Sequence, residues 1–244
     1  YWPAFLMSAK LELPENIFAH GFLTLRGEKM SKSAGNVMDP FDMVNRYGSE
    51  NLRYFFMREV PFGQDGSFSD EAIVNRVNAD LANDLGNLAQ RSLSMIAKNC
   101  DGIMPTPHLN EEGDALLLTL ADGLHAKMND AMDRLAIHEY LKSIFELVSE
   151  ANRYFAEQEP WGLKKTDPAR MGTVLYLAAE IIRQASIALQ PVIPEGSLNL
   201  LDLLDVPQEQ RTFNFLGSTG RLAFGQNLPK PEVIFPRLEM DAEA

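Results

Sequence analysis

From Asp70 to the neighbourhood of Leu204, apolar residues return at helix-face spacing, and prolines and glycines cut the run into lengths too long for strands. Ile73, Val77, Leu81, Leu85, Leu88 and Ile96 form one broad stripe on a helix read over 70–99, the pattern that buries one side of a helix. Pro105 and Pro107 end it. A second helix is read over 111–134, a third over 137–156, a fourth from Asp167-Pro168 to near Pro191, and a short fifth over 194–204. Long helices on short connections pack as antiparallel neighbours, so most of the chain is expected to be a helical bundle. Pro229-Lys230-Pro231 opens an extended tail whose residues 232–238 are expected to pack back as a strand.

The part before Asp70 reads differently. Residues 16–25 are an apolar run too brief for a stable helix and read as strand. Arg26-Gly27-Glu28 turns the chain, with Gly27 suited to positive φ. Lys29-Met30-Ser31-Lys32-Ser33 follows and leads into Ala34-Gly35-Asn36. Two ammonium groups three residues apart, set among hydroxyls and small residues, make a cationic loop suited to a polyphosphate whose charge shifts during reaction. A K-x-x-K loop by itself is most often a solvated basic turn. Asp39-Pro40 starts a short helix that Gly48 closes; Ser49 is read as the cap of the next, which carries Leu52, Phe55, Phe56 and Glu59 before Pro61. Residues 62–69 read as a glycine-rich turn region.

Net charge of −12 argues against a generic nucleic-acid binder. Locally the balance differs: residues 26–58 carry Arg26, Lys29, Lys32, Arg46, Arg53 and Arg58 against Glu28, Asp39, Asp42 and Glu50, a basic strip able to steer RNA. A single cysteine, Cys100, excludes an internal disulfide and a cysteine-built zinc site in this chain. No uninterrupted apolar run approaches the roughly 20 residues that span a bilayer, so no membrane is expected. A secretory leader pattern is missing, and a reducing cytoplasm fits best.

The order Tyr1-Trp2-Pro3-Ala4, His20-Gly21-Phe22-Leu23 and Gly27-Glu28-Lys29-Met30-Ser31-Lys32-Ser33 resembles the methionyl family of class I aminoacyl-tRNA synthetases, and the resemblance continues to the chain's end. It implies the end of a Rossmann-like α/β catalytic domain over 1–27, a KMSKS loop and stem-contact fold over 28–69, an α-helical anticodon-binding bundle over 70–228 and a returning tail over 229–244. The implied activity is ATP-dependent ligation of L-methionine to tRNA(Met) through methionyl-adenylate, with Mg2+ accompanying ATP. Lys32 would stabilise the triphosphate, Lys29 hold the closed loop or a terminal phosphate, and Ser31 and Ser33 donate to phosphate or shape the loop. Leu23 would meet adenine through its backbone and His20 reach the ribose side, while Tyr1 and Trp2 would rim the methionine pocket.

Asn87 and Arg91 stand four apart on the first long helix and share a face. Trp161 follows Pro160 at the exit of the third. An amide, a guanidinium and an indole are what single-stranded RNA recognition needs, since unpaired bases stack on aromatic faces and bond through their edges. By physics alone Asn87 and Arg91 read as solvated groups and Trp161 as a core plug, and nothing in the spacing would choose them for RNA. The resemblance assigns Asn87, Arg91 and Trp161 to the CAU anticodon, with Asn152, Tyr154 and Lys164 as secondary candidates.

The chain opens on Tyr1-Trp2-Pro3 without an initiator Met, and His20, His108, His125 and His138 all lack the HIGH-type context of the family. A fragment is therefore expected, inactive alone, monomeric, with the amino-terminal half and the family's zinc site elsewhere. Other readings stay open: a cysteinyl, leucyl or valyl type of the same class, a non-catalytic helical tRNA-binding module, or a scaffold for protein partners ending in Glu239, Asp241 and Glu243. Asn87, Arg91 and Trp161 together with residues 231–237 favour the methionyl type.

Overall fold

The computed structural model describes residues 1–31, 33 and 36–240. Lys32, Ala34, Gly35 and residues 241–244, and so the expectations placed on Lys32, Asp241 and Glu243, lie outside it.

The long helix read over 70–99 is present, but it is wound in two ways. Ser69 caps α4 (Asp70–Val77), its hydroxyl accepting from Ala72 N at 3.1 Å. A π-helical segment, Asn78–Gly86, continues into α5 (Asn87–Asn99). All six stripe residues are buried. The π winding coincides with a polar hub. Asp80 accepts from the Tyr54 hydroxyl and from Arg76 Nη1 at 3.2 Å, with Arg58 at 3.4 Å. Asn152 donates to the Asp84 carbonyl at 3.2 Å, and Ser149 to the Asp84 carboxylate at 3.0 Å. These bonds hold the segment from outside where its own ladder is altered.

The helix read over 111–134 is two, α6 (Glu112–Asp122) and α7 (Leu124–Asp133). The break falls at Gly123, a poor helix former in the middle of the stretch. Helix α8 (Ile137–Gln158) ends at Glu159 in the left-handed region, φ 43°. Pro160 then opens a short helix, α9 (Pro160–Thr166), which sequence reading missed.

Helix α10 (Pro168–Leu189) is the axis of the bundle. It is capped by Asp167, which accepts from Arg170 N at 2.9 Å, and every residue from Met171 to Leu189 is buried. By length and composition it could cross a membrane; its burial marks it as a core helix instead. The polar residues inside it are paired. Arg183 donates to both Glu180 oxygens at 2.9 and 2.6 Å and to the Phe215 carbonyl at 2.7 Å, and Leu222 N donates to Glu180 at 3.0 Å. Helix α11 (Pro194–Leu203) completes the bundle.

Before the bundle come α1 (Trp2–Ser8), unforeseen in the sequence and burying nothing, and three short strands. Of the strand read over 16–25, only β1 (Leu23–Leu25) forms. It pairs antiparallel with β2 (Glu28–Lys29) and parallel with β3 (Gly66–Phe68), the latter inside the supposed turn region. Gly21 lies so close to Gln64 that a Cβ there would sit 2.1 Å from its carbonyl, so the approach admits only glycine.

Helices α2 (Pro40–Tyr47) and α3 (Ser49–Glu59) follow the loop. Asp39 caps the first, accepting from Phe41 N at 2.8 Å. The cap of the second is Gly48 at φ 80°, and Ser49 is its first residue. Helix α3 is bolted to the bundle: Glu50 accepts from Gly196 N at 3.0 Å, and Arg53 donates to the carbonyls of Val192 at 3.0 Å and Pro191 at 2.7 Å.

The tail returns as expected but forms no strand among the described residues. Asn78 exchanges bonds of 2.8 and 2.9 Å with the Leu238 backbone, and Phe235 seats its ring against Gly86 and Gly196. The side chain of Asn78 replaces the ladder a partner strand would supply.

Candidate phosphate loop and nucleic-acid interface

The β1–β2 turn places two residues in positive φ, Arg26 at 51° and Gly27 at 84°. This is the tight primed hairpin that suits twisted strands. Gly27 N donates to Ser67 Oγ at 2.8 Å and Arg26 N to Phe68 O at 3.1 Å, fixing the hairpin on β3. Lys29 ends β2, is exposed, and has no described carboxylate within ion-pair distance. Ser31 N donates to Asn36 Oδ1 at 2.8 Å, Asn36 Nδ2 donates to Lys29 O at 3.2 Å, and the Ser31 and Ser33 hydroxyls lie 3.2 Å apart. Met30 and Met38 pack against the core on either side. Asn36 is a residue sequence reading passed over, though an amide just beyond a lysine-serine loop was the available signal.

The other residues expected near this loop are less closely joined to it. Leu23 occupies the first position of β1. His20 is exposed, bonds Gly21 O at 2.8 Å and stacks on Phe62, which itself stacks on Phe18 at 4.8 Å. Tyr1 and Trp2 are 100% and 76% exposed, and the ring neighbour of each is Phe5.

Half of the basic strip is engaged within the protein. Arg46 pairs with Asp70 at 3.1 Å, Arg58 with Asp80 and Arg53 with backbone carbonyls. These contacts narrow the expected RNA-steering strip: Arg26 and Lys29 are exposed and take no part in them, while Arg46 and Arg53 are exposed but engaged.

On the bundle, Arg91 lies over two rings, 4.9 Å from the Phe155 centroid and 5.4 Å from that of Trp161. Phe155 is fully buried and forms the floor, while Trp161 is 49% exposed on α9. A guanidinium gains roughly 0.5–2 kcal/mol over an aromatic face, so Arg91 is held with its donors available. Asn87 is exposed one turn earlier and lines a 260 Å³ groove with Asn83, Gln90, Phe235 and Arg237. Arg237 donates to Asn83 Oδ1 at 2.7 Å. Phe155, Asn83 and Arg237 were not singled out in sequence; the aromatic before Glu159-Pro160 and the lone arginine of the tail were the signals.

The secondary candidates face different surroundings. Tyr154 is buried, donating to Asp114 at 2.6 Å and accepting from Arg170 at 2.9 Å. Burial, then Asp114, push its hydroxyl above the ordinary tyrosine range. Asp114 is displaced oppositely: burial would raise it, but bonds from Arg170 and Tyr154 outweigh that and hold it low. Asn152 is spent between Asp84 and Val148, and Lys164 is exposed on α9. Among the described residues no group of three or more histidine, cysteine or acidic side chains is placed to hold a metal.

Comparison with known proteins identifies the two halves separately. Residues 1–93 match the family model for class I tRNA synthetases (M), and residues 105–244 match that for the anticodon binding domain of methionyl tRNA ligase. The chain is 63% identical over 238 residues to a methionine–tRNA ligase of Brucella suis and 56% identical over 237 residues to that of Rhizobium meliloti, covering 97% of this chain and 46% of each relative. The structure of Mycobacterium tuberculosis methionyl-tRNA synthetase in complex with methionyl-adenylate superposes with a TM-score of 0.92 at 53% identity, over 97% of this chain and 47% of that one. The chain thus spans about half the length of the relatives it matches.

Proposed function

The chain belongs to the class I methionyl-tRNA synthetase family, and we propose that it supplies the phosphate loop and the anticodon reader of an enzyme that ligates L-methionine to tRNA(Met). In this reading ATP, with Mg2+ entering as part of that substrate, reacts with methionine to give methionyl-adenylate and pyrophosphate. Lys32 and Lys29 offer positive charge to the triphosphate as negative charge gathers on the leaving group, assisted by the Ser31 and Ser33 hydroxyls. Positioned charge of this kind acts without covalent chemistry by the protein. Leu23 and His20 flank the nucleotide, and Tyr1 and Trp2 border the amino-acid side. The rest of the active site belongs to the amino-terminal half, so this chain alone is inactive. The whole enzyme acts as a cytoplasmic monomer, with domains divided near residues 27, 69 and 228.

The observation that carries the reading is the Arg91 guanidinium resting on Phe155 and Trp161, one helical turn from Asn87. An exposed indole offers a stacking face to a splayed base, and the guanidinium and carboxamide offer edge-specific hydrogen bonds. The test is a crossed pair of variants in the full-length protein. Lys32→Ala should slow ATP–pyrophosphate exchange by about 10²–10³-fold with tRNA affinity kept. Trp161→Ala should weaken tRNA binding with exchange kept. Loss of both activities in either variant would contradict the division of labour.

A further inference from the structure

In the β1–β2 ladder the last paired residue is Lys29, opposite Thr24. Beyond it, Ser31 N–H and Lys29 C=O would need a partner strand, and the Asn36 carboxamide meets both: Oδ1 accepts from Ser31 N at 2.8 Å and Nδ2 donates to Lys29 O at 3.2 Å. We propose that Asn36 is a positioning residue for adenylate formation, a side-chain peptide mimic that holds the root of the lysine-serine loop; this rests on the loop reading above.

Only a primary amide can play both parts at this reach. A carboxylate accepts but cannot donate, and a hydroxyl is too short to span the two groups. The tie joins position 31 to position 36, and Lys32 lies between them in the sequence. Met30 and Met38, packed against the core, anchor the flanks, while Asp39 fixes where α2 begins. The tie sets where the backbone leaves Lys29 and where it returns at Asn36, and a fixed root is what lets positioned charge act without a further ordering cost. Asn36 touches no reacting atom in this account. It acts through the backbone that bears Lys29 and Ser31.

The test is ATP–pyrophosphate exchange by the full-length protein, with methionine KM and tRNA affinity measured alongside. Asn36→Ala should lower kcat about tenfold to a hundredfold and leave methionine KM and tRNA Kd within about twofold. Asn36→Asp, which keeps the acceptor and loses the donor, should fall as well. The double variant Lys32→Ala/Asn36→Ala should be no more than about twofold slower than Lys32→Ala, since groups acting as one unit are not additive. Wild-type kcat in Asn36→Ala, full multiplication of the two losses, or equal loss of tRNA binding would each overturn the assignment. Wild-type exchange by Lys32→Ala would instead overturn the loop reading on which it rests.

Discussion

Every residue of α10 from Met171 to Leu189 is buried, whereas no described residue before Met43 is. The bundle is held by apolar area removed from water, at roughly 25 cal/mol per Å², and the polar residues inside α10 survive because each is paired. The loop region is shaped by single hydrogen bonds instead: Asn36 to the loop root, Asp65 to Phe22 N at 2.8 Å, Ser67 to the hairpin turn and Asp39 to α2. Bulk burial gives a rigid surface on which Arg91 and Trp161 keep a fixed relation. A few local bonds shape the loop root, where the proposed triphosphate contact is placed.

The contrast can be broken first in the bundle. Arg183→Met removes the close ion-pair partner of buried Glu180 and leaves it only the Arg221 guanidinium, at 3.7 Å, as a charged partner, which should cost about 3 kcal/mol. Denaturant unfolding should show the loss, with exchange activity per folded molecule unchanged. Asp114→Asn tests the smaller network of Asp114, Tyr154 and Arg170, where hydrogen bonds to a charged group contribute about 1.5–3 kcal/mol. Its pH dependence has a definite sign. The folded carboxyl lies below its ordinary value of 3.8, so the stability gap between wild type and variant should be full above that pH. It should close as pH falls through the depressed folded value. Gly21→Ala strikes the other region, where its Cβ would meet the Gln64 carbonyl at 2.1 Å. Exchange should drop about tenfold while the melting of the bundle stays put; a fall in both would mean that the two regions fold as one.

Legibility followed the same divide. The stripe from Ile73 to Ile96 was readable because burial imposes a period. Its π segment was not, because Val77, Leu81 and Leu85 step by four, a spacing that both helical windings tolerate and that Asp80 and Asp84 settle through partners distant in sequence. The β1–β2 turn was readable from Gly27. The shortness of β1 was not, since its extent depends on β3, more than 40 residues away. In the reader, Asn87, Arg91 and Trp161 came through resemblance alone. Phe155 was hidden as one more core aromatic, and its role as the floor under Arg91 appears only in three dimensions. The tail was foreseen to return, but its pairing through Asn78 has no strand signature to read.

The most direct measurement is a titration of a CAU-bearing anticodon stem-loop against this 244-residue chain and its Trp161→Ala variant. Loss of one stacked base, about 1–3 kcal/mol, should weaken binding by roughly 5- to 150-fold, and a stem-loop with a scrambled triplet should bind the parent chain no better than CAU binds the variant. Equal affinity of parent and variant for CAU, or of the parent for CAU and scrambled loops, would contradict the account.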